Sequence, residues 1–422
     1  MEPLHIAVVS CAFPPDLVVT AGTSCDIAAA LARHGHAVKV IAPYPSRPRS
    51  LLASTPRSSL LRLERSADGY DVVRCLSFVS KHSTMLSRLL ENVSFGMVAL
   101  LALFRVGRQD VVYANTWPVF ATFALAAYCR LRRIPFLLNI QDVYPESLEY
   151  QNRIAAAGRT SRILKRLDTW NAKQAASIVV PSPSFRRIYT ATRGVDPSQI
   201  IVVPNWNRRT ESIAAADPGA ASGARRLSKR DFAFAYWGNI GVACGLLEIL
   251  PWFRQIPGSF QFTIGGEGDT LADCRSVAAT IPAGRIRFQV SQEEMRSVLD
   301  GADVLILPTR GDQALASIPS KLIAYMMAGK PVISIARGDS DLAGVIRSAA
   351  CGWNVEPGDR AGFRALLARV QTMPGDVLAD IGGRGRDYAM RHYSADGCVT
   401  GVLQLVEGLG SSVSPRVKRC RN

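Results

Sequence analysis

The sequence has 422 residues, 48% of them apolar and 20% charged, and carries a net charge of +16. This length exceeds one ordinary core and predicts two domains, and the apolar content excludes a disordered chain. Nine scattered cysteines without a C-x-x-C pair and five histidines, of which only His34 and His36 lie close together, exclude a disulfide framework and any expected metal site.

In chain order, Met1 to His5 carries no signal peptide and leads into a short buried strand, Ile6–Val9, so reduced thiols and a cytoplasmic setting are expected. The turn Phe13-Pro14-Pro15 and a loop to Gly22 precede a helix from about Ser24 to Arg33, and a second strand follows at His36–Ile41. The apolar run Phe95 to Phe104 is shorter than the roughly 18 residues of a membrane span. It reads either as a buried helix or as one that dips its apolar side into a bilayer surface. Strands at Val111–Tyr113, Phe136–Ile140, Ile178–Val180 and Ile200–Val203, with a helix from Trp117 to Arg132, continue a strand–helix alternation that predicts a parallel sheet. Residues 211–229, rich in Ala, Gly, Ser and Arg, read as a linker or surface insertion. A second α/β alternation starts at Phe232–Tyr236, with further strands at Phe260–Ile264, Ile286–Val290, Val304–Leu307, Val332–Ile335 and Trp353–Val355. Helices from about Arg360 to Gln371 and ending near Leu409 close the chain, before a tail expected to be disordered. Two such halves predict a deep cleft, the usual place for a ligand.

Three loops hold residues suited to chemistry. Ile318-Pro319-Ser320-Lys321 opens an amphipathic helix just after the Val304–Leu307 strand, where amides, helix dipole and ammonium suit a phosphate; solvated surface charge is the plainer reading. Gly238, Asn239 and Gly241 form a turn through which backbone amides can approach an anion, though a tight strand–helix turn explains it equally, as it does Gly265-Gly266-Glu267-Gly268. Asp142 follows the apolar FLLNIQD strand and suits proton acceptance or a sugar hydroxyl, or else caps the helix at Pro145. Asn115-Thr116-Trp117 would line the same rim. Basic clusters in the first half (Arg47 to Lys81, Arg130 to Arg133, Arg159 to Arg166, Arg186 to Arg193) suit an anionic membrane or a solvated face; no nucleic-acid-binding motif accompanies them.

The stretches FPPD, LARHGHAVKVIAPYP, DVVYANTW, NIQDVYPESL, VVPNWN, YWGNIG, IGGEG, ADVLILP and IPSKLIAYMMAGKPV, in this order over nearly the whole chain, resemble family-4 retaining glycosyltransferases, especially bacterial envelope and exopolysaccharide enzymes. The resemblance implies the GT-B fold: two Rossmann-like α/β domains facing across a cleft, with a C-terminal helix crossing back to the first. The implied boundaries are an acceptor-side domain at 1–207, the linker at 208–231, a nucleotide-sugar domain at 232–385, the crossing helix at 386–410 and a basic tail at 411–422. It further implies that Ser320 and Lys321 meet a donor diphosphate with the Gly238–Gly241 turn, that backbone near Val290 holds the base, and that the loop around Gly22 closes over the phosphates. Asp142 and Asn115 fall at the reacting end. No cofactor or metal is implied, the nucleotide diphosphate-sugar being a co-substrate. The acceptor would be lipid-linked or an oligosaccharide, at the inner face of the cell membrane.

The chain departs from that family at several positions. Ala316 and Ala324 replace an acidic pair, Val242 and Cys244 replace an Arg and a Lys, Asn115 replaces a His, and the glycine-rich first loop is thinned to Val18-Val19-Thr20-Ala21-Gly22. These changes leave open a catalytically weak or inactive binding protein on the same fold, or another nucleotide-sugar enzyme such as an epimerase. Donor base, sugar, acceptor, linkage and oligomeric state are not written in the sequence.

Overall fold

The computed structural model describes residues 2–47, 57–80, 85–115, 119–150, 154–156, 158–206, 208, 211, 231–290, 295–310 and 318–418. The chain divides into two compact units, one of Met1–Asn207 with Asp396–Asn422 and the other of Arg208–Ala395. Most of the expected linker, and Thr116, Trp117 and Ala316, lie outside the described residues.

The first unit contains strands β1 (His5–Ser10), β2 (Ala37–Pro43), β3 (Leu61–Arg65), β4 (Asp71–Cys75), β5 (Val111–Asn115), β6 (Phe136–Asn139), β7 (Ser177–Val180) and β8 (Ile200–Val202). They form one sheet in the order β3-β4-β2-β1-β5-β6-β7-β8. All neighbours are parallel except the edge pair β3 and β4. The central strands are buried on both faces, which is why they read as unbroken apolar runs. The β3–β4 hairpin escapes that reading because its edge position leaves it charged and alternating.

The longer helices that accompany this sheet are α1 (Val19–Arg33), α2 (Met85–Arg105), α3 (Val119–Arg132), α4 (Arg159–Gln174) and α5 (Pro183–Arg193), with a single turn at Glu146–Tyr150. Helix α1 begins five residues before the expected Ser24, so Gly22 lies in its first turn and not in a loop. The β-branched run before Gly22 obscures this start, but Ala21, Ser24, Ile27, Ala28 and Leu31 supply the buried stripe that fixes it. Helix α5 carries its own punctuation: Ser182 accepts from the Phe185 amide, Pro183 occupies the first turn, and left-handed Gly194 closes the end. In α2, Phe95, Ala99, Ala102 and Leu103 are buried. Gly96 lets α2 approach α3, since a Cβ there would stand 2.9 Å from the Ala121 Cα.

The second unit has strands β9 (Phe232–Trp237), β10 (Phe260–Gly265), β11 (Ile286–Gln289), β12 (Val304–Pro308), β13 (Val332–Ile335) and β14 (Gly352–Val355). They form a wholly parallel sheet in the order β11-β10-β9-β12-β13-β14. Besides a short turn of helix at Leu246–Ile249, its helices are α6 (Leu271–Ala278), α7 (Met295–Gly301), α8 (Ser320–Met327), α9 (Asp341–Ala349), α10 (Arg360–Gln371) and α11 (Gly375–Tyr393). One core cluster is built around Phe234, Phe253, Phe262 and Phe363, and a second around Leu299, Leu322, Tyr325 and Met326. They cover the two faces of the sheet, as alternate β9 residues show: Phe234 joins the first and Ala235 the second.

A final helix, α12 (Ala395–Lys418), belongs to the first unit. Its Gly410 lies against Leu4 and Val111, and Glu407 Oε1 meets His36 Nε2 at 3.0 Å and His34 Nδ1 at 3.3 Å. The helix continues to Lys418, past Gly410, where disorder was expected to begin.

Candidate functional site

Each unit has a point where successive connections leave in opposite directions along the sheet, the usual ligand position in open α/β sheets. In the second unit it falls between β9 and β12. Loop 238–241 leaves the carboxyl end of β9, and α8 begins beyond the end of β12. These two features meet through Gly238 and Lys321. The lysine side chain lies directly across the glycine, where any Cβ would overlap Lys321 Cε, and Gly238 has φ +150°. Lys321 Nζ is 5.7 Å from the centre of the Tyr236 ring. Among the described residues this ammonium has neither an ion pair nor a hydrogen bond, and burial lowers its pKa.

The surroundings hold this lysine in place. The Tyr325 hydroxyl accepts from the Trp237 amide at 2.8 Å and donates to the Trp237 carbonyl at 3.0 Å, tying α8 to the end of β9. The Gly238 amide donates to the Gly265 carbonyl and the Ile240 amide to the Glu267 carbonyl, which laces the two glycine turns together. Gly266, at φ +120°, abuts the Gly238 carbonyl so closely that no side chain fits. Asn239 is exposed beside them, its carbonyl accepting from the Tyr236 hydroxyl at 2.7 Å, and its side-chain nitrogen faces Gly241. Ser320 is the exposed first residue of α8, and Pro319 supplies no side-chain cap to its opening amides.

The positions that depart from the family also have definite places. Val242 is exposed and Cys244 is buried, so Lys321 stands without the two cations expected after the turn. Ala324 packs against the second core cluster. Val290 follows β11, half-buried, next to Gln289, whose carbonyl accepts from Gly266.

In the first unit the corresponding point lies between β1 and β5. Ser10, Asn115 and Asn139 end three neighbouring strands and pair in one register row. Asn115 is fully buried, and its Nδ2 donates to Ser24 Oγ at 2.7 Å, Thr23 Oγ1 at 3.2 Å and the Thr20 carbonyl at 3.3 Å. Its amide therefore clamps the first turn of α1, while Oδ1 is buried without a partner, as is Thr20 Oγ1. Buried polar atoms rarely stay unpaired, and such oxygens mark a place for a donor from a ligand or water. Gly22 is exposed on that same turn with open space above it.

Asp142 lies three residues beyond β6, half-buried, and burial pushes its carboxyl up to about 6. Among the described residues it makes no hydrogen bond, so the capping reading fails: Ser147 takes the Val143 carbonyl instead. The loop that presents it is fixed from both sides. Gln141 donates to Asn139 and accepts from Asn205, at 2.9 and 2.7 Å. Arg193, expected in a basic surface cluster, is buried and holds the Tyr144 carbonyl, both Glu146 oxygens and Asp168 Oδ2. Burial works against the Glu146 charge, but Arg193 prevails and lowers its pKa. Sequence reasoning missed Ser10, Asn139 and Arg193; the polar residues ending otherwise apolar strands were the signal for the first two.

This arrangement offers two kinds of chemistry: an ammonium beside glycine amides and a helix start, suited to an anion, and a half-buried carboxylate on a braced loop. Residues 20–206 match the glycosyl transferase 4-like domain, and residues 235–372 match the glycosyl transferases group 1 domain. The probable glycosyltransferase WbjE of Pseudomonas aeruginosa is 23% identical over 295 residues, 69% of this chain and 72% of the relative. The colanic acid biosynthesis glycosyl transferase WcaI of Escherichia coli K12, a putative assignment in its own name, is 23% identical over 80% of this chain and 85% of its own length. Among solved structures, Anabaena HepE in complex with UDP superposes with a TM-score of 0.69 at 12% identity, covering 96% of this chain and 100% of that one. With its two parallel-sheet units, the chain has the GT-B fold and belongs to the group 1 glycosyltransferases.

Proposed function

We propose that this glycosyltransferase moves a hexosyl group from a nucleoside diphosphate-sugar to a lipid-linked or oligosaccharide acceptor, with retention and without a resident metal. The observation that carries this reading is the Lys321 ammonium, lying over Gly238 with no anionic partner among the described residues. In the reaction the bond between the anomeric carbon and the diphosphate oxygen breaks, and the electron pair leaves with the diphosphate. Lys321, the glycine-turn amides and the start of α8 receive that growing negative charge. The acceptor hydroxyl forms the new bond to the anomeric carbon. Asp142 holds this hydroxyl and takes its proton, and the unpaired Asn115 oxygen accepts from a sugar hydroxyl. Val290 backbone contacts the base, and Ser320, Asn239 and Gly241 complete the phosphate contacts.

The UDP bound by HepE supports a uridine nucleotide as the first donor to try, and the colanic acid assignment of WcaI supports an envelope acceptor. A lipid-linked acceptor and an excess of cations support work at the cytoplasmic face of an anionic membrane. The test is release of nucleoside diphosphate from a panel of nucleotide sugars, with and without lipid-linked acceptors from bacterial membranes. Release that requires both a sugar nucleotide and an acceptor supports the reading. Interconversion of the nucleotide sugar without an acceptor, or no release with any pair, contradicts it.

A further inference from the structure

Helix α2 was expected either as a core helix or as one dipping into a bilayer, and the structure distinguishes its two sides. Its buried side carries Phe95, Ala99, Ala102 and Leu103. Its other side carries Leu86, Leu90, Val93, Met97 and Phe104, with exposures of 65%, 45%, 42%, 62% and 54%. At 100° per residue these five fall within about 40° of one line. The result is a convex apolar ridge extending roughly 27 Å along the helix.

The charge around the ridge indicates its partner. Helix α2 packs beside α3, and α3 beside α4. These three helices contain nine Lys and Arg residues but only two acids, Glu91 and Asp168. Both acids are already engaged, Glu91 by Arg47 and Arg88, and Asp168 by Arg193. Arg105, Arg130, Arg132, Arg162 and Arg166 are exposed and have no carboxylate partner among the described residues.

From this combination we infer that α2 is the membrane-contacting element of the protein: its ridge inserts sideways into the headgroup–acyl boundary of an anionic bilayer, and the arginines of α3 and α4 engage the lipid phosphates. Length and composition alone also qualify α2 as a membrane span. The topology excludes that: β4 before it and β5 after it belong to one sheet, and α2 packs on that sheet. The contact refines the proposed membrane setting of the enzyme and rests on that reading for its purpose only, since it is tested without substrate.

The experiment uses the full chain and phosphatidylcholine vesicles with and without phosphatidylglycerol. Wild type should float with the anionic vesicles, and Leu90→Glu/Met97→Glu should lose at least about tenfold in partitioning. Both changes are on the solvent-facing side, so cooperative thermal unfolding and nucleotide binding should be retained. A Met97→Trp probe should shift its fluorescence to the blue on anionic vesicles, reporting insertion. Failure of wild type to bind, equal binding by the double variant, or an unshifted probe overturns the inference. So does self-association of wild type that the double variant abolishes without any vesicle binding, which would give the ridge to a second copy. Nucleotide-sugar turnover with a water-soluble acceptor should be equal in wild type and double variant; its absence in both bears on the transfer reading and not on the ridge.

Discussion

Asp142 is held at a thermodynamic cost. Its carboxyl is raised from 3.8 to about 6 by burial, and no described side chain compensates its charge. A raised folded-state pKa means that the folded chain binds more protons between about pH 4 and pH 6. The associated stability is present below pH 4 and is lost as pH rises through about 6. Transfer that uses the ionised carboxylate has the opposite slope and rises through the same window. Asp142→Asn should therefore stabilise the protein by about 2 kcal/mol at pH 8 and by little at pH 4, while reducing transfer at least about a hundredfold. Denaturation at both pH values with matched turnover assays checks this; a variant less stable at pH 8 would show a structural carboxylate.

Gly238 and Lys321 make a second residue-scale case. A methyl on Gly238 must displace the Lys321 side chain, so Gly238→Ala and Lys321→Ala should each weaken nucleoside diphosphate binding about tenfold. Because both changes remove one contact, the double variant should be little weaker than either single one. Additive losses, measured by titration calorimetry, would show two independent sites. Asp142 and the glycine turn stand out in the sequence because an apolar strand run precedes them, and Lys321 because it opens an amphipathic helix. Ser10 and Asn139 were not, since their importance comes from register across strands distant in sequence.

At the scale of elements, the central strands and helices α1, α3, α8 and α10 were legible, whereas the capped α5 was not read from its Ser182 and Gly194. The start of α1 was hidden by β-branched residues, and the β3–β4 hairpin was hidden by its charge. Helices α9 and α11, unmarked in the sequence reading, fill the length between β13, β14 and the final helix. The basic clusters concealed opposite roles, because charge counts do not reveal depth. Arg193 is a buried brace that ties α5 to the Asp142 loop, whereas Arg132 and Arg166 are open. Arg193→Met should cost about 3–5 kcal/mol, since it leaves Glu146 and Asp168 buried without their cation. Urea unfolding measures this, and a loss below about 1 kcal/mol would assign the bracing elsewhere.

For the whole molecule, the chain builds the same device twice: a parallel sheet whose switch point gathers loops from adjacent strands. The two sites differ in chemistry. The second unit offers a cation and amides, and the first offers a carboxylate and unpaired oxygens. That difference suits the proposed transfer reaction, in which one substrate leaves as an anion and the other arrives as an alcohol. The most direct test of this account is calorimetric titration of wild type and Lys321→Ala with UDP, GDP, ADP and TDP. Binding of one base, weakened at least about tenfold in the variant while its unfolding is unchanged, is the result predicted. Equal affinity in the two proteins, or no binding of any diphosphate at millimolar concentration, would contradict a donor site at Lys321.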